Sequence, residues 1–250
     1  MMGLFTRSPS TTFLPRPTAR TPLLEPLAPV RATPAQRRTT HMAASLLLDY
    51  PDAGTLAAAR EVRDVVGQLP DAVQARLDAF LDDLEAGDPA ALEARYVATF
   101  DLKRKCSMYL SYYAAGDTRK RGMALVRFVQ AYRAAGWEVD GEELPDYLPM
   151  ALEFSARARS CDEERIAAGL LGSHRQGIEV LRSALAAMAS PYALVVEAVC
   201  LTLPPLDAET ERRYLELVTS GPPTEMVGLS AMGPLEPFAP AGAPSEEVRR

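Results

Sequence analysis

Two side chains in this sequence have the chemistry for catalysis. His174 is a candidate general base, but no serine or cysteine nucleophile pattern surrounds it, so we expect a polar histidine on a helix face. Cys106 follows Lys103, Arg104 and Lys105, whose positive charges would lower the pKa of the thiol and make it reactive. The sequence contains no nucleophile elbow, no glycine-rich phosphate loop and no dinucleotide-binding fingerprint. We therefore predict no catalytic residue, and a small helical enzyme that uses Cys106 is the alternative.

The cysteines and histidines are too few and too scattered to bind a metal. The chain has three cysteines and two histidines, and no CxxC or HExxH motif brings them together. We predict no metal site, no cofactor and a reducing compartment. A net charge of −6 and a pI near 5.1 argue against nucleic-acid binding, which needs a positive surface. No apolar run reaches the roughly 18 residues of a membrane span, so we do not expect an integral membrane protein.

Three segments are denser in aromatic and charged residues than a plain helical bundle requires. They cover residues 96–102, 109–122 and 143–154, and each lies near the predicted end of a helix. Recognition of a helical peptide needs apolar anchors and a charged rim rather than a nucleophile, so these segments predict a partner-binding surface. Its candidate residues are Tyr96, Phe100, Asp101, Tyr109, Tyr113, Arg119, Arg121, Leu144, Pro145, Asp146, Tyr147, Leu148, Glu153 and Phe154.

The charges of this surface divide by sign. Basic clusters at residues 103–105 and 119–121 would meet acidic surfaces of a client. Carboxylates would form an acidic rim for a basic, apolar client segment, and these are Asp101, Glu142, Glu143, Asp146 and Glu153. Asp146 has a second candidate role, as the N-cap of a helix that begins near Pro149. The alternative for the whole set is that the aromatic rings belong to the core and the charges to caps and solvated faces.

Helical periodicity, punctuated by proline and glycine, must position these segments. The helices are predicted between Pro34 and Tyr50, Leu56 and Leu69, Val73 and Leu84, Pro89 and Phe100, Cys106 and Ala115, Thr118 and Gly136, Pro149 and Ser160, Glu163 and Ala189, Tyr192 and Val199, and Asp207 and Ser220. The Glu163–Ala189 helix is expected to bend near its two glycines. No stretch alternates with a period of two, so the sequence predicts no sheet.

The predicted architecture is all-α, a single bundle of about eight to ten helices. Residues 1–32 are interrupted by prolines and biased toward arginine, and residues 221–250 are rich in proline, glycine and alanine. We expect both ends to be disordered tails that flank one helical domain over residues 33–220.

Five motifs, in this order, resemble the molybdenum-cofactor assembly chaperone, or delta subunit, of respiratory nitrate reductase. They are SLLLDYPD at residues 45–52, YVATFDL at 96–102, the tyrosines and GDTRKRG at 109–122, ELPDYLP at 143–149, and SPYA at 190–193. The likeness extends over about residues 42–203, and more loosely to the wider family of redox-enzyme maturation chaperones. The chain has Asp146-Tyr147 where the family has Asp-His, which argues against a role that needs an imidazole there.

The resemblance implies an all-helical, non-catalytic chaperone in the cytoplasm that is absent from the finished enzyme. Such chaperones bind the N-terminal region of the apo catalytic subunit. They keep that subunit competent for molybdenum cofactor insertion and delay its docking at the membrane. Two alternatives are a chaperone for another molybdoenzyme that recognises a twin-arginine leader, and a structural bundle that has no client.

Overall fold

A computed structural model describes residues 24–116, 119–139 and 143–203 and residue 208, and most of these residues lie in α-helices. Ten α-helices and no β-strand lie in these residues, which confirms the predicted all-α bundle. The helices are α1 Pro34–Leu47, α2 Ala53–Val65, α3 Asp71–Ala86, α4 Pro89–Tyr96, α5 Leu110–Ala115, α6 Lys120–Ala134, α7 Leu148–Arg157, α8 Cys161–Ser173, α9 Arg175–Ala187 and α10 Tyr192–Thr202. None of these helices has the length and apolar character needed to cross a membrane.

Local capping chemistry sets the beginnings of the helices. Thr33 and Gln36 form a capping box at the start of α1, each side chain accepting a hydrogen bond from the other residue's backbone N–H. The Asp88 side chain caps α4 by accepting a hydrogen bond from the Ala91 N–H, and Pro89 follows it at the first helical position. Both helix starts are those predicted from the sequence.

Short irregular turns join several helices where longer helices were predicted. A π-helical turn, Val97–Asp101, follows α4, and a 3-10 turn, Arg104–Cys106, comes before α5. The helix predicted from Cys106 therefore begins four residues later, at Leu110. The predicted start near Thr118 and most of the predicted last helix lie outside the described residues.

The core forms around α10, which is buried on nearly all sides. This helix packs against α1, α3 and α9, and α1 also packs along α7. An apolar helix without a polar face is expected to lie in the centre of a bundle. At its N-terminus the Tyr192 ring contacts the rings of Phe80 and Phe100, with centroids 5.2 Å and 4.9 Å away. The same cluster therefore connects the centre of the core to the π-helical turn.

The single bent helix predicted over residues 163–189 is wrong, because the chain breaks it into α8 and α9 at His174. The imidazole Nδ1 lies 2.9 Å from the carbonyl oxygen of Leu170, whose helical partner would be the backbone N–H of His174. The ring also contacts Phe128, with centroids 4.6 Å apart. In α9 the absence of a side chain on Gly177 admits the ring of Tyr113, since a Cβ atom there would lie 2.9 Å from that ring.

A fully buried ionic network lies on α9. Glu179 accepts hydrogen bonds from Arg175 at 2.9 Å and from Arg182 at 2.7 Å, and all three side chains are at most 3% exposed. Each guanidinium also donates to a backbone carbonyl of the N-terminal segment, Arg175 to Leu27 at 3.2 Å and Arg182 to Glu25 at 2.7 Å. The network therefore ties the segment that precedes α1 to the core.

That segment, residues 24–32, differs from the unstructured tail that the sequence predicts. It contains no helix, but the Val30 N–H donates to the Leu201 carbonyl at 2.8 Å, and the side chains of Leu27 and Val30 pack on the core. We call residues 24–32 the strap. The rest of the predicted N-terminal tail and the whole predicted C-terminal tail lie outside the described residues.

Candidate functional site

Two irregular stretches bring the three aromatic segments together. An isolated antiparallel bridge joins Tyr109 to Tyr147, with the Leu110 N–H donating to the Asp146 carbonyl at 2.9 Å. The π-helical turn Val97–Asp101 brings the end of α4 to the same place. Such turns are rare in helices and frequent at functional sites. A cavity of about 490 Å³ opens between them. The predicted site residues that line it are Tyr96, Phe100, Asp101, Tyr109, Arg121 and Tyr147.

Aromatic rings form the walls of this first cavity. The Tyr96 ring contacts Tyr50 and Phe100, with centroids 5.4 Å and 4.8 Å away. On the other side Tyr109 and Tyr147 lie 5.5 Å apart. The hydroxyls of Tyr96 and Tyr147 are 3.3 Å apart and connect the two groups. These ring pairs are tilted or edge-to-face, which is the geometry that aromatic side chains prefer.

The cavity keeps its tyrosines neutral. Burial and a hydrogen bond to the Glu143 carboxylate at 2.8 Å raise the pKa of Tyr109 to about 12. Burial also raises the pKa of Tyr96 and of Tyr147, and the charge of Asp49 adds to both shifts. These hydroxyls therefore act as hydrogen-bonding groups in a negative local potential, not as acids at neutral pH.

Arg121 reaches this cavity from α6. Its guanidinium carbon lies 5.3 Å from the centroid of the Tyr109 ring, which is cation–π geometry. Its Nε donates to the hydroxyl of Ser111 at 3.3 Å, and an Nη atom lies 3.9 Å from the Asp146 carboxylate. Arg119, two residues earlier, is exposed and does not line the cavity.

Asp146 has neither of the roles that its sequence position suggested. Its carboxylate is fully buried and accepts from the backbone N–H of Ser111 at 3.1 Å and from the Ser111 hydroxyl at 2.5 Å. It therefore caps the first turn of α5, while the N-cap position of α7 belongs to Tyr147, which makes no side-chain cap. The expectation of a rim carboxylate or a cap near Pro149 is wrong.

The first cavity continues along α1 and α7. A second cavity, of about 390 Å³, shares Asp49, Glu143 and Tyr147 with the first. A third, of about 190 Å³, shares Met150 and Glu153 with the second. We call the three connected cavities the groove. Its lining is mostly aromatic and apolar, and it includes the carboxylates of Asp49, Glu143 and Glu153.

The remaining predicted residues divide between the groove and the core. Glu153 lines the groove, and it pairs with Arg157 at 2.7 Å. Phe154 forms part of the floor of the third cavity although its side chain is only 3% exposed. Tyr113 and Leu148 are core residues, at 1% and 0% exposed.

Two other predicted residues lie beside the groove without lining any of its three cavities. Leu144 is 38% exposed. Pro145 accepts a hydrogen bond at its carbonyl from the Tyr132 hydroxyl at 2.9 Å.

Asp49 and Tyr50 are among the groove residues that were missing from the predicted site. They belong to the LLLDYPD sequence at the end of α1, which entered the resemblance but was not assigned to the surface. The available signal was the Asp-Tyr pair after a helix, a pair that recurs at Asp146-Tyr147. Its relation to the three aromatic segments depends on the packing of α1 against α7.

Cys106 is not the reactive thiol that its basic neighbours suggested. The side chain is fully buried, and burial raises its pKa to about 11 although Lys103 and Lys105 act in the opposite direction. The alternative of a reactive Cys106 is not supported, because desolvation of a thiolate outweighs two exposed cations. In the described part of the chain, no group of three or more His, Cys, Asp or Glu side chains is placed to hold a metal ion.

A buried histidine–serine pair lies away from the groove. His41 Nδ1 is 2.8 Å from the Ser155 hydroxyl, and Nε2 is 3.1 Å from the Thr202 hydroxyl. Burial and the charge of Arg37 lower the pKa of His41 to about 3. An imidazole so weakly basic cannot serve as a general base at neutral pH, and the pair is a structural link between α1, α7 and α10.

Comparison with known proteins identifies relatives of this chain. A sequence profile of the family described as nitrate reductase delta subunit matches residues 67–196, just over half of the 250 residues. The matched range contains the three aromatic segments, residues 96–102, 109–122 and 143–154, but not the Asp49-Tyr50 pair.

Named relatives show 35–37% identity over parts of the chain. The nitrate reductase-like protein NarX of Mycobacterium tuberculosis is 37% identical over 159 residues, which are 64% of this chain but 23% of NarX. The probable nitrate reductase molybdenum cofactor assembly chaperone NarJ of Bacillus subtilis is 35% identical over 123 residues, 49% of this chain and 67% of that protein. NarJ of Escherichia coli K12, also named as such a chaperone, is 35% identical over 116 residues, 45% of this chain and 49% of its own length.

Proposed function

The chain belongs to the nitrate reductase delta subunit family, and on that basis we propose that it is a non-catalytic assembly chaperone of a nitrate reductase. In this proposal it binds the catalytic subunit in its apo form, through that subunit's N-terminal region, and holds it while the molybdenum cofactor is inserted. Binding takes place in the cytoplasm and precedes docking of the enzyme at the membrane.

The groove is the observation that supports this proposal. Its three connected cavities, of about 490, 390 and 190 Å³, offer more room than one small ligand needs and follow the surface of α1 and α7. Apolar and aromatic side chains line them, and the carboxylates of Asp49, Glu143 and Glu153 lie beside these. An amphipathic client segment would place its apolar face on the rings and its basic residues at the carboxylates.

Binding of purified catalytic subunit tests the proposal. The subunit is prepared from cells that cannot synthesise the molybdenum cofactor and, separately, from cells that can. We expect a stable complex with the cofactor-free subunit, loss of that complex when the subunit's N-terminal region is deleted, and at least about tenfold weaker binding of the loaded subunit, a difference of roughly 1.4 kcal/mol.

A matched pair of variants then places the contact. Met150→Asp puts a carboxylate into the groove, and we expect client affinity to fall by at least about tenfold. Met123→Asp makes the same change on the exposed face of α6, where the side chain is 66% exposed, and affinity should be unchanged. Equal effects of the two variants would contradict the groove as the binding site. Capture of a twin-arginine leader in place of the catalytic subunit would reassign the client to another molybdoenzyme.

A further inference from the structure

The first cavity of the groove has two aromatic halves that differ in occupancy. One half contains Tyr109 and Tyr147, and the guanidinium of Arg121 lies over the Tyr109 ring. The other half contains Tyr96 and Tyr50, and Tyr50 is 39% exposed. The chain itself therefore shows that a guanidinium fits against a ring of this cavity.

The open half also has carboxylates that act on Tyr50. Partial burial raises the pKa of Tyr50, and the charges of Glu93, Asp101 and Asp52 raise it further. Asp101 is exposed, and its carboxylate makes no hydrogen bond or ion pair with any described residue. A carboxylate beside an exposed ring is suited to hold a cation that rests on the ring face.

We propose that the open half of the first cavity is a cation-binding box, in which an arginine or lysine side chain of the client lies over Tyr50 and pairs with Asp101. This inference rests on the proposed function and specifies the side chain that this end of the groove selects. Arg121 is the internal counterpart of that client residue, bound in the other half of the same cavity.

An anionic group fits the cavity less well, although Lys103, Arg104 and Arg121 also line it. The face of an aromatic ring carries negative charge density, so it attracts cations and repels anions. The carboxylates of Asp49 and Glu143 add to that preference. Arg121 already lies over the Tyr109 ring, and Lys103 and Arg104 are exposed.

Small probes test the box without any client. The full chain is titrated with N-acetyl-arginine amide, with the uncharged isostere N-acetyl-citrulline amide, and with N-acetyl-glutamate amide, while the ring resonances of Tyr50 are followed by NMR. We expect the arginine probe to shift these resonances and to bind about tenfold more tightly than the citrulline probe. Equal affinity of the arginine and citrulline probes, or preference for the glutamate probe, would overturn the inference.

Variants of the box measure separately how the Tyr50 ring and the Asp101 charge contribute to probe binding and to stability. Tyr50→Phe keeps the ring and should bind the arginine probe as wild type does, whereas Tyr50→Leu should bind it about tenfold more weakly. Asp101→Asn removes a carboxylate that has no hydrogen-bond or ion-pair partner among the described residues, so stability should not change while affinity for the arginine probe falls and loses part of its salt dependence. Retention of wild-type affinity by both Tyr50→Leu and Asp101→Asn would also overturn the inference.

The catalytic subunit distinguishes this inference from the proposed function. If the cofactor-free subunit binds wild type and Tyr50→Leu equally, the chaperone role stands and the box is refuted. If the subunit does not bind at all but the arginine probe still selects Tyr50, the box stands and the proposed client is wrong.

Discussion

Two arginine–glutamate pairs with the same spacing behave as opposites in this molecule. Arg175 and Glu179 on α9 are four residues apart and 2.9 Å from each other, with side chains at most 2% exposed. Glu153 and Arg157 on α7 have the same separation and lie 2.7 Å apart, but 43% and 53% of their side chains are exposed. Length and spacing therefore do not distinguish a structural pair from one at a binding surface, whereas exposure to water does.

The physical reason is the cost of leaving a charge alone. A buried charge that loses its partner is not solvated again by water, so separating the α9 pair costs much free energy. An exposed pair contributes little to stability, because water replaces either partner at small cost. In the proposed complex, Glu153 can therefore exchange Arg157 for a cation of the client, while Glu179 is fixed between two guanidinium groups that also hold the strap.

The largest expected effect comes from breaking the buried network. Glu179→Gln removes the only carboxylate that contacts Arg175 and Arg182 among the described side chains, and we expect the free energy of unfolding to fall by about 3–5 kcal/mol. Urea denaturation followed by circular dichroism measures this. Glu153→Gln is the matched control on α7 and should cost less than about 1 kcal/mol. Similar losses in the two variants would remove the distinction between the pairs.

Deletion of the strap should have the next largest effect. A chain that begins at Arg31 lacks the carbonyls of Glu25 and Leu27, so both buried guanidinium groups lose an acceptor. We expect a loss of about 2–3 kcal/mol, since hydrogen bonds to charged groups are strong and the entropy regained by the shorter chain offsets part of them. A chain that begins at residue 24 keeps these contacts and is the control. Equal stability of the two deletions would show that the strap is dispensable.

Local signals predicted most of the fold because they act within a few residues. Caps and prolines at Thr33, Pro34, Asp88 and Pro89 set helix starts whatever the rest of the chain does. The break at His174 was not predictable in this way. It depends on an imidazole that bonds to the carbonyl one turn earlier and lies against a ring of α6, which is information that only tertiary packing supplies.

The site was predicted as a set of segments but not as a set of side chains. Aromatic density at helix ends identified the groove, yet Tyr109 and Tyr113 are only four residues apart and have opposite fates. Tyr109 lines the first cavity, whereas Tyr113 is buried where Gly177 lets α5 approach α9. Which tyrosine faces the core is decided by a glycine far along the chain, so periodicity within such a short helix cannot decide it.

The smallest predicted effect on stability concerns Asp146. This carboxylate lies near the groove but is buried, as Glu179 is. Asp146→Asn keeps an oxygen for the backbone N–H of Ser111 but removes the charge and places an amide beside Arg121. We expect the free energy of unfolding to fall by about 1–2 kcal/mol, because a buried charged acceptor that caps α5 is weakened. Thermal or urea denaturation measures the loss.

Client binding distinguishes buried Asp146 from exposed Asp101. Asp146 lines none of the three cavities, so Asp146→Asn should leave the client's affinity and its salt dependence at wild-type values. Asp101→Asn should do the reverse, with unchanged stability and weaker, less salt-dependent binding. If Asp146→Asn instead preserves stability and weakens the client's binding, then Asp146 is a recognition residue. Burial would then no longer separate the structural charges of this protein from those that meet its partner.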